Sequence, residues 1–70
     1  MKNVKIESEF ITLGQFLKYE SIVPSVGLVK WFLSEHEVLV NDVLENRKGR
    51  KLYKGDIVNI SSIGTYKIDN

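Results

Sequence analysis

Glu37-Val38-Leu39-Val40-Asn41-Asp42-Val43-Leu44 is the stretch on which the reading of this chain turns. Val38 and Val40 alternate with Leu39, the period of a strand, Asn41-Asp42 is a tight-turn signal, and Val43-Leu44 begins a return strand. Upstream of His36 the apolar period is 3.6 instead. Val26, Val29, Phe32 and Leu33 form the core-facing stripe of a helix over about residues 26–35, with Ser25 as its cap. The switch from one period to the other marks an α+β domain, with helices first and most strands after.

Farther upstream, Thr12 precedes Leu13, Phe16 and Leu17, spaced i, i+3 and i+4, so Thr12 reads as the N-cap of a helix running to about Glu20. Leu13, Phe16, Leu17 and Glu20 share one half of that helix, whereas Gln15 and Lys18 face away. Pro24 disfavours helical geometry at Val23 and separates the two helices. Val4 and Ile6 alternate with Lys5 and Glu7 as a short half-buried strand. Downstream, Arg47 to Lys51 is too charged for a core and contains Gly49, which makes it a flexible loop. Lys54-Gly55-Asp56 is a turn, Ile57 to Ile60 a strand, Ser61 to Gly64 a turn and Thr65 to Ile68 a last strand.

Seventy residues with no Cys describe one small soluble domain, spanning 1–70, whose core carries nearly all its stability. The absence of Cys removes thiol catalysis and Cys-based zinc sites. The longest uncharged stretch, Ser21 to Val29, is broken by Pro24 and Gly27 and is far short of the about 20 apolar residues a spanning helix needs. Lys5, Glu7 and Glu9 fall where a secretory signal would have its apolar centre. The expected location is the cytoplasm, with no membrane partner.

Ten Lys and Arg against nine Asp and Glu give a net charge of +1. That average hides a division. Arg47, Lys48, Arg50, Lys51 and Lys54 place five positive charges in eight residues, so the remaining 62 residues carry five positive and nine negative charges, or −4. A mildly acidic body bears one basic segment, the pattern of a chain that meets a polyanion on one side.

Residues 12–60 resemble the S4 RNA-binding domain and, among its members, the small stand-alone S4-like proteins of the YaaA type. Ile11-Thr12-Leu13-Gly14-Gln15-Phe16-Leu17 sits where that family has its first helix, and Ser25 to Leu33 occupies its second. Val38-Leu39-Val40-Asn41-Asp42 is similar to its Val-x-Val-Asn-Gly, and Lys54-Gly55-Asp56-Ile57-Val58 to its Pro/Lys-Gly-Asp-x-Ile/Val. The resemblance implies an S4-like (αL motif) fold, two short helices packed on a small sheet of short, mainly antiparallel strands. It also implies docking on structured RNA, commonly ribosomal RNA, without catalysis, cofactor, metal or small-molecule substrate, and a place in ribosome assembly or translation. The residues implied for RNA contact are Gln15 and Lys18 on the first helix, Ser25 and Lys30 on the second, and Arg47, Lys48, Arg50, Lys51 and Lys54 beyond them. The chain departs from the family at Val26, where Arg is usual, at Thr12 and Gly14, which replace a charged pair, and at Asp42, which replaces the turn Gly. The first three leave fewer cations on the helical side, and the basic loop compensates.

Two residues have bland and functional readings side by side. Trp31 lies on the outward side of the second helix beside Lys30, where an indole offers a stacking platform for an unpaired base or an anchor for a partner protein. A domain this small gains much from covering Trp, so a terminal strand is expected over it. His36 has Glu35 and Glu37 beside it, but adjacent helical residues do not face one another and no nucleophile or orienting group completes a catalytic set. It is expected to end the helix in a left-handed conformation.

Three other functions compete with RNA binding. An adaptor could use the outward face around Trp31 to dock on an acidic partner or a ribosomal protein. A β-grasp sulfur carrier requires a C-terminal Gly-Gly, and the sequence ends Ile68-Asp69-Asn70. DNA reading by the second helix requires polar side chains at its start, where Val26, Gly27 and Leu28 stand.

Overall fold

The computed structural model describes residues 1–70. Strand β1 (Lys2–Lys5) and strand β2 (Phe10–Thr12) precede helix α1 (Leu13–Tyr19). A 3₁₀ turn (Val26–Leu28) leads into helix α2 (Val29–Glu35), and five strands follow: β3 (Val38–Val40), β4 (Val43–Leu44), β5 (Lys51–Tyr53), β6 (Ile57–Ile60) and β7 (Gly64–Asp69). The fold is the expected α+β, S4-like arrangement of two short helices on short strands. The strands form two sheets, one ordered β1-β7-β6-β3-β4 and the other a ribbon of β2 and β5. Every pairing is antiparallel except β1 with β7, where Lys2 lies opposite Tyr66 and Lys5 opposite Asp69. No helix is long and apolar enough to cross a membrane.

Local chemistry accounts for the β3–β4 hairpin. Asn41 and Asp42 both take positive φ, 51° and 68°, as a turn matching strand twist requires, and Asn and Asp tolerate that conformation better than other side chains. Asn41 then reaches across to the turn before β6. Its Nδ2 donates to Asp56 Oδ1 at 3.0 Å, and its Oδ1 accepts from the Ile57 N–H at 2.9 Å. Asp56 Oδ2 also accepts from the Tyr53 N–H at 2.8 Å, closing the turn in which Gly55 takes φ 94°. The Asn of one family-like motif and the Asp of the other are thus bonded to each other.

Helices and sheet meet in one core cluster that includes Val4, Leu13, Phe16, Leu17, Val29, Phe32, Val38, Leu52, Val58 and Ile68. Phe16 sits at its centre and meets the Tyr66 ring edge to face at 5.3 Å, a favoured aromatic geometry. Lys2 and Glu20 form a 2.8 Å ion pair that ties β1 to the end of α1.

Four expectations need correction. Val26 is 55% exposed: it opens a separate 3₁₀ turn ahead of α2, and the buried stripe begins only at Val29. Ser25 precedes that turn without a side-chain capping bond. His36 is extended, with φ −126° and ψ 141°, since β3 starts two residues on and the chain is already straightening. Its ring stacks on Phe32 at 4.1 Å. Finally, Trp31 is 57% exposed: β1 and β7 pair with each other in the large sheet and leave the outer face of α2 open.

Candidate nucleic-acid interface

Helix α1 begins at a junction. Thr12 holds an extended conformation, its Oγ1 accepts from the Gln15 N–H at 3.2 Å, and Gln15 Oε1 accepts from the Thr12 N–H at 3.0 Å. This reciprocal capping box leaves the amides of Leu13 and Gly14 without helical partners. The basic segment supplies them. Leu13 N–H donates to the Arg50 carbonyl at 2.8 Å, and Gly14 N–H to the Lys48 carbonyl at 2.9 Å. Gly14 permits this approach: a Cβ there would stand 3.3 Å from the Lys48 oxygen and 3.5 Å from Val29 Cγ1. The loop, the start of α1 and the start of α2 therefore meet at one glycine. Expected to be flexible, the segment is instead fastened to the helix at two points.

A third fastening comes from Glu45. Its side chain is only 6% exposed, yet it lies among cations and not in the apolar core. Glu45 Oε2 accepts from Arg47 Nε at 2.9 Å and from the Arg47 backbone N–H at 3.1 Å. Glu45 Oε1 accepts from Arg47 Nη2 at 3.1 Å and from Arg50 Nη1 at 3.0 Å. The Arg47 guanidinium is the main cause that holds the Glu45 carboxyl at about 2, well below its ordinary value, and burial opposes the shift. The same bond raises Arg47.

One consequence concerns phosphate binding. The paired-donor edge of Arg47, Nε with Nη2, is already engaged by Glu45, so that edge is closed to a phosphate and the Nη1 end of the guanidinium is what remains. Arg50 commits only Nη1. Lys48, Lys51 and Lys54 form no ion pair with an acid. Within 45–54 the charge is five positive and one negative, or +4.

The remaining expected contacts lie around this junction. Gln15 and Lys18 are exposed on α1 and line a shallow groove with Ser8, Phe10 and Val26. Gln15 has spent its oxygen on the capping box, so its NH₂ is what it can offer a ligand. Lys30, in the first turn of α2, lines a cleft with Ser34 and Asn46 where the chain enters the basic segment. Ser25 and Lys54 are exposed, the latter at the turn before β6. Trp31 stands open beside Lys30 in the sequence.

Sequence reasoning missed Glu45, Phe10 and Tyr53. A lone acid two residues before a basic run was a signal for the first. For Tyr53 the signal was the alternation Lys51-Leu52-Tyr53, which places Leu52 inside and its neighbours outside.

Residues 4–69 match the model of the S4 domain. The chain belongs to the S4 domain family. The S4 match is wider than the 12–60 read from the sequence motifs: it takes in the end of β1 and all of β7, which pair with each other. Among curated proteins, the chain is 57% identical over 67 residues to the probable ribosome maturation protein RlbA of Bacillus subtilis strain 168, covering 96% of this chain and 94% of the relative. In S4 terms, the motif residues Asn41 and Asp56 brace the sheet, and the basic segment is mounted on the start of the first helix.

Proposed function

We propose that residues 1–70 act as one S4 module that docks on structured ribosomal RNA during ribosome maturation, by binding and without catalysis, in the cytoplasm. The observation that carries this reading is the mounting of the basic segment. Two backbone bonds to α1 and the Glu45 pairs hold Lys48, Arg50 and Lys51 in place, so little loop freedom is lost when phosphates bind. Lys18 and Lys30 extend the cationic surface onto the helices. The family membership supports RNA as the partner, and the name of the Bacillus relative supports the maturation step.

The test is fluorescence anisotropy with a folded ribosomal RNA fragment across a salt series. Log K should fall by roughly 0.7 to 0.9 per phosphate contact per decade of salt, and the slope should shrink when Lys48, Arg50 and Lys51 are changed to Ala. Unchanged affinity in that triple variant defeats the reading.

The exposure of Trp31 favours a second reading, an adaptor that anchors a ribosomal protein or another partner on the outer face of α2. Partners that survive nuclease treatment of a lysate and are lost with Trp31→Ala would support it.

A further inference from the structure

The outer face of the β2–β5 ribbon bears an aromatic ring among cations. In β5, Leu52 is buried, while Lys51 and Tyr53 point to the other side. Tyr53 is 43% exposed and lies directly across the ribbon from Phe10, with ring centroids 5.8 Å apart and planes tilted by 48°. Lys51 Nζ stands 4.9 Å from the centre of the Phe10 ring. Tyr53 lines a shallow concavity with Arg47, Gly49, Arg50 and Lys51. The position of a Gly49 side chain is open space, so nothing from that residue fills the concavity.

An exposed ring held on one side by a second ring, in a concavity it shares with Arg47, Arg50 and Lys51, matches the chemistry of a nucleotide: a π-face next to a phosphate. A base within a duplex has both faces covered by its neighbours and cannot present one to Tyr53. Each guanidinium carries five N–H donors, of which Glu45 takes two from Arg47 and one from Arg50, so most remain for a phosphate. We propose that this concavity receives one unpaired nucleotide of the bound RNA, its base against the Tyr53 ring and its phosphate on the remaining N–H groups of Arg47 and Arg50. The inference rests on RNA as the partner and adds that the preferred site joins a helix to an unpaired nucleotide.

Two RNA stems of the same sequence test it, one fully paired and one with a single-nucleotide bulge carrying 2-aminopurine. The protein should bind the bulged stem about tenfold more tightly and quench the 2-aminopurine emission, as base–aromatic stacking requires. Tyr53→Leu should bind both stems alike without quenching, and Tyr53→Phe should restore both effects. Equal binding of the two stems by the unaltered protein, or preference and quenching that persist in Tyr53→Leu, overturns the inference while leaving RNA binding intact. Failure to bind either stem defeats both. If Tyr53→Leu does not fold, the preference and the quench of the unaltered protein decide alone.

Discussion

At the start of α1 the amides of Thr12, Leu13, Gly14 and Gln15 all have partners, two of them carbonyls of the basic segment. The start of α2 is a 3₁₀ turn with no side-chain cap, bordered by the exposed Val26, Leu28 and Trp31. The two ends therefore serve different purposes. A helix N-terminus commonly attracts anions through unpaired amides, but in α1 those amides are consumed in building a joint. Anion recognition passes to the side chains that the joint holds up. The start of α2 is anchored by Val29 under Gly14 and otherwise left open, which makes it the looser boundary of the surface.

The contrast breaks most sharply at Gly14. Gly14→Val would push carbons into the Lys48 carbonyl and Val29, and overpacking of this kind should cost about 1–3 kcal/mol, read as a lower urea midpoint. Thr12→Ala removes the cap of α1 and should cost about 1 kcal/mol in the same assay. Ser25→Ala, at the corresponding place before α2, should change stability by less than about 0.5 kcal/mol, since no side-chain cap bond is lost. Equal effects of the two Ala variants would remove the difference between the helix starts.

Glu45 sharpens the comparison by pH. Its carboxyl lies below its ordinary value of 4.5, at about 2, so the stabilisation it gives is complete above pH 4.5 and is lost as pH falls toward 2. Glu45→Gln should flatten the acid limb of the stability curve in that window. The change should be smaller than that of Thr12→Ala, because Arg47 is largely exposed and solvent screens the pair. The smallest effect belongs to α2: Trp31→Ala should leave the thermal midpoint nearly unchanged, because an exposed side chain away from the core contributes little to stability.

What could be read in the sequence follows from how local each feature is. The cap at Thr12, the spacing of Leu13, Phe16 and Leu17, and the Asn41-Asp42 turn are decided within a few residues, and each appears as expected. The ribbon of β2 and β5 was invisible because Phe10–Thr12 shows no alternation and finds its partner about forty positions away. Val26 misled because it belongs to a separate 3₁₀ turn ahead of α2 within what reads as one helix. Within the candidate interface, the charge of the basic segment was legible and its rigidity was not. Rigidity depends on a carboxylate that looks like an ordinary surface residue until two arginines fold over it.

The parallel pairing of β1 with β7 bears on how the protein is made. Strand β7 lies between β1 and β6, so β1 has no other neighbour in the sheet, and its partner is about sixty positions later in the chain. At about 5–20 residues per second of synthesis, β1 waits several seconds for that partner to emerge. During that interval Val4 and Ile6, both destined for the core, lack the strand that covers them. Closure of the sheet is thus a late, non-local step of folding, and a nascent chain stopped before Gly64 retains the helix pair and the basic segment in sequence but has no place to seat its first strand.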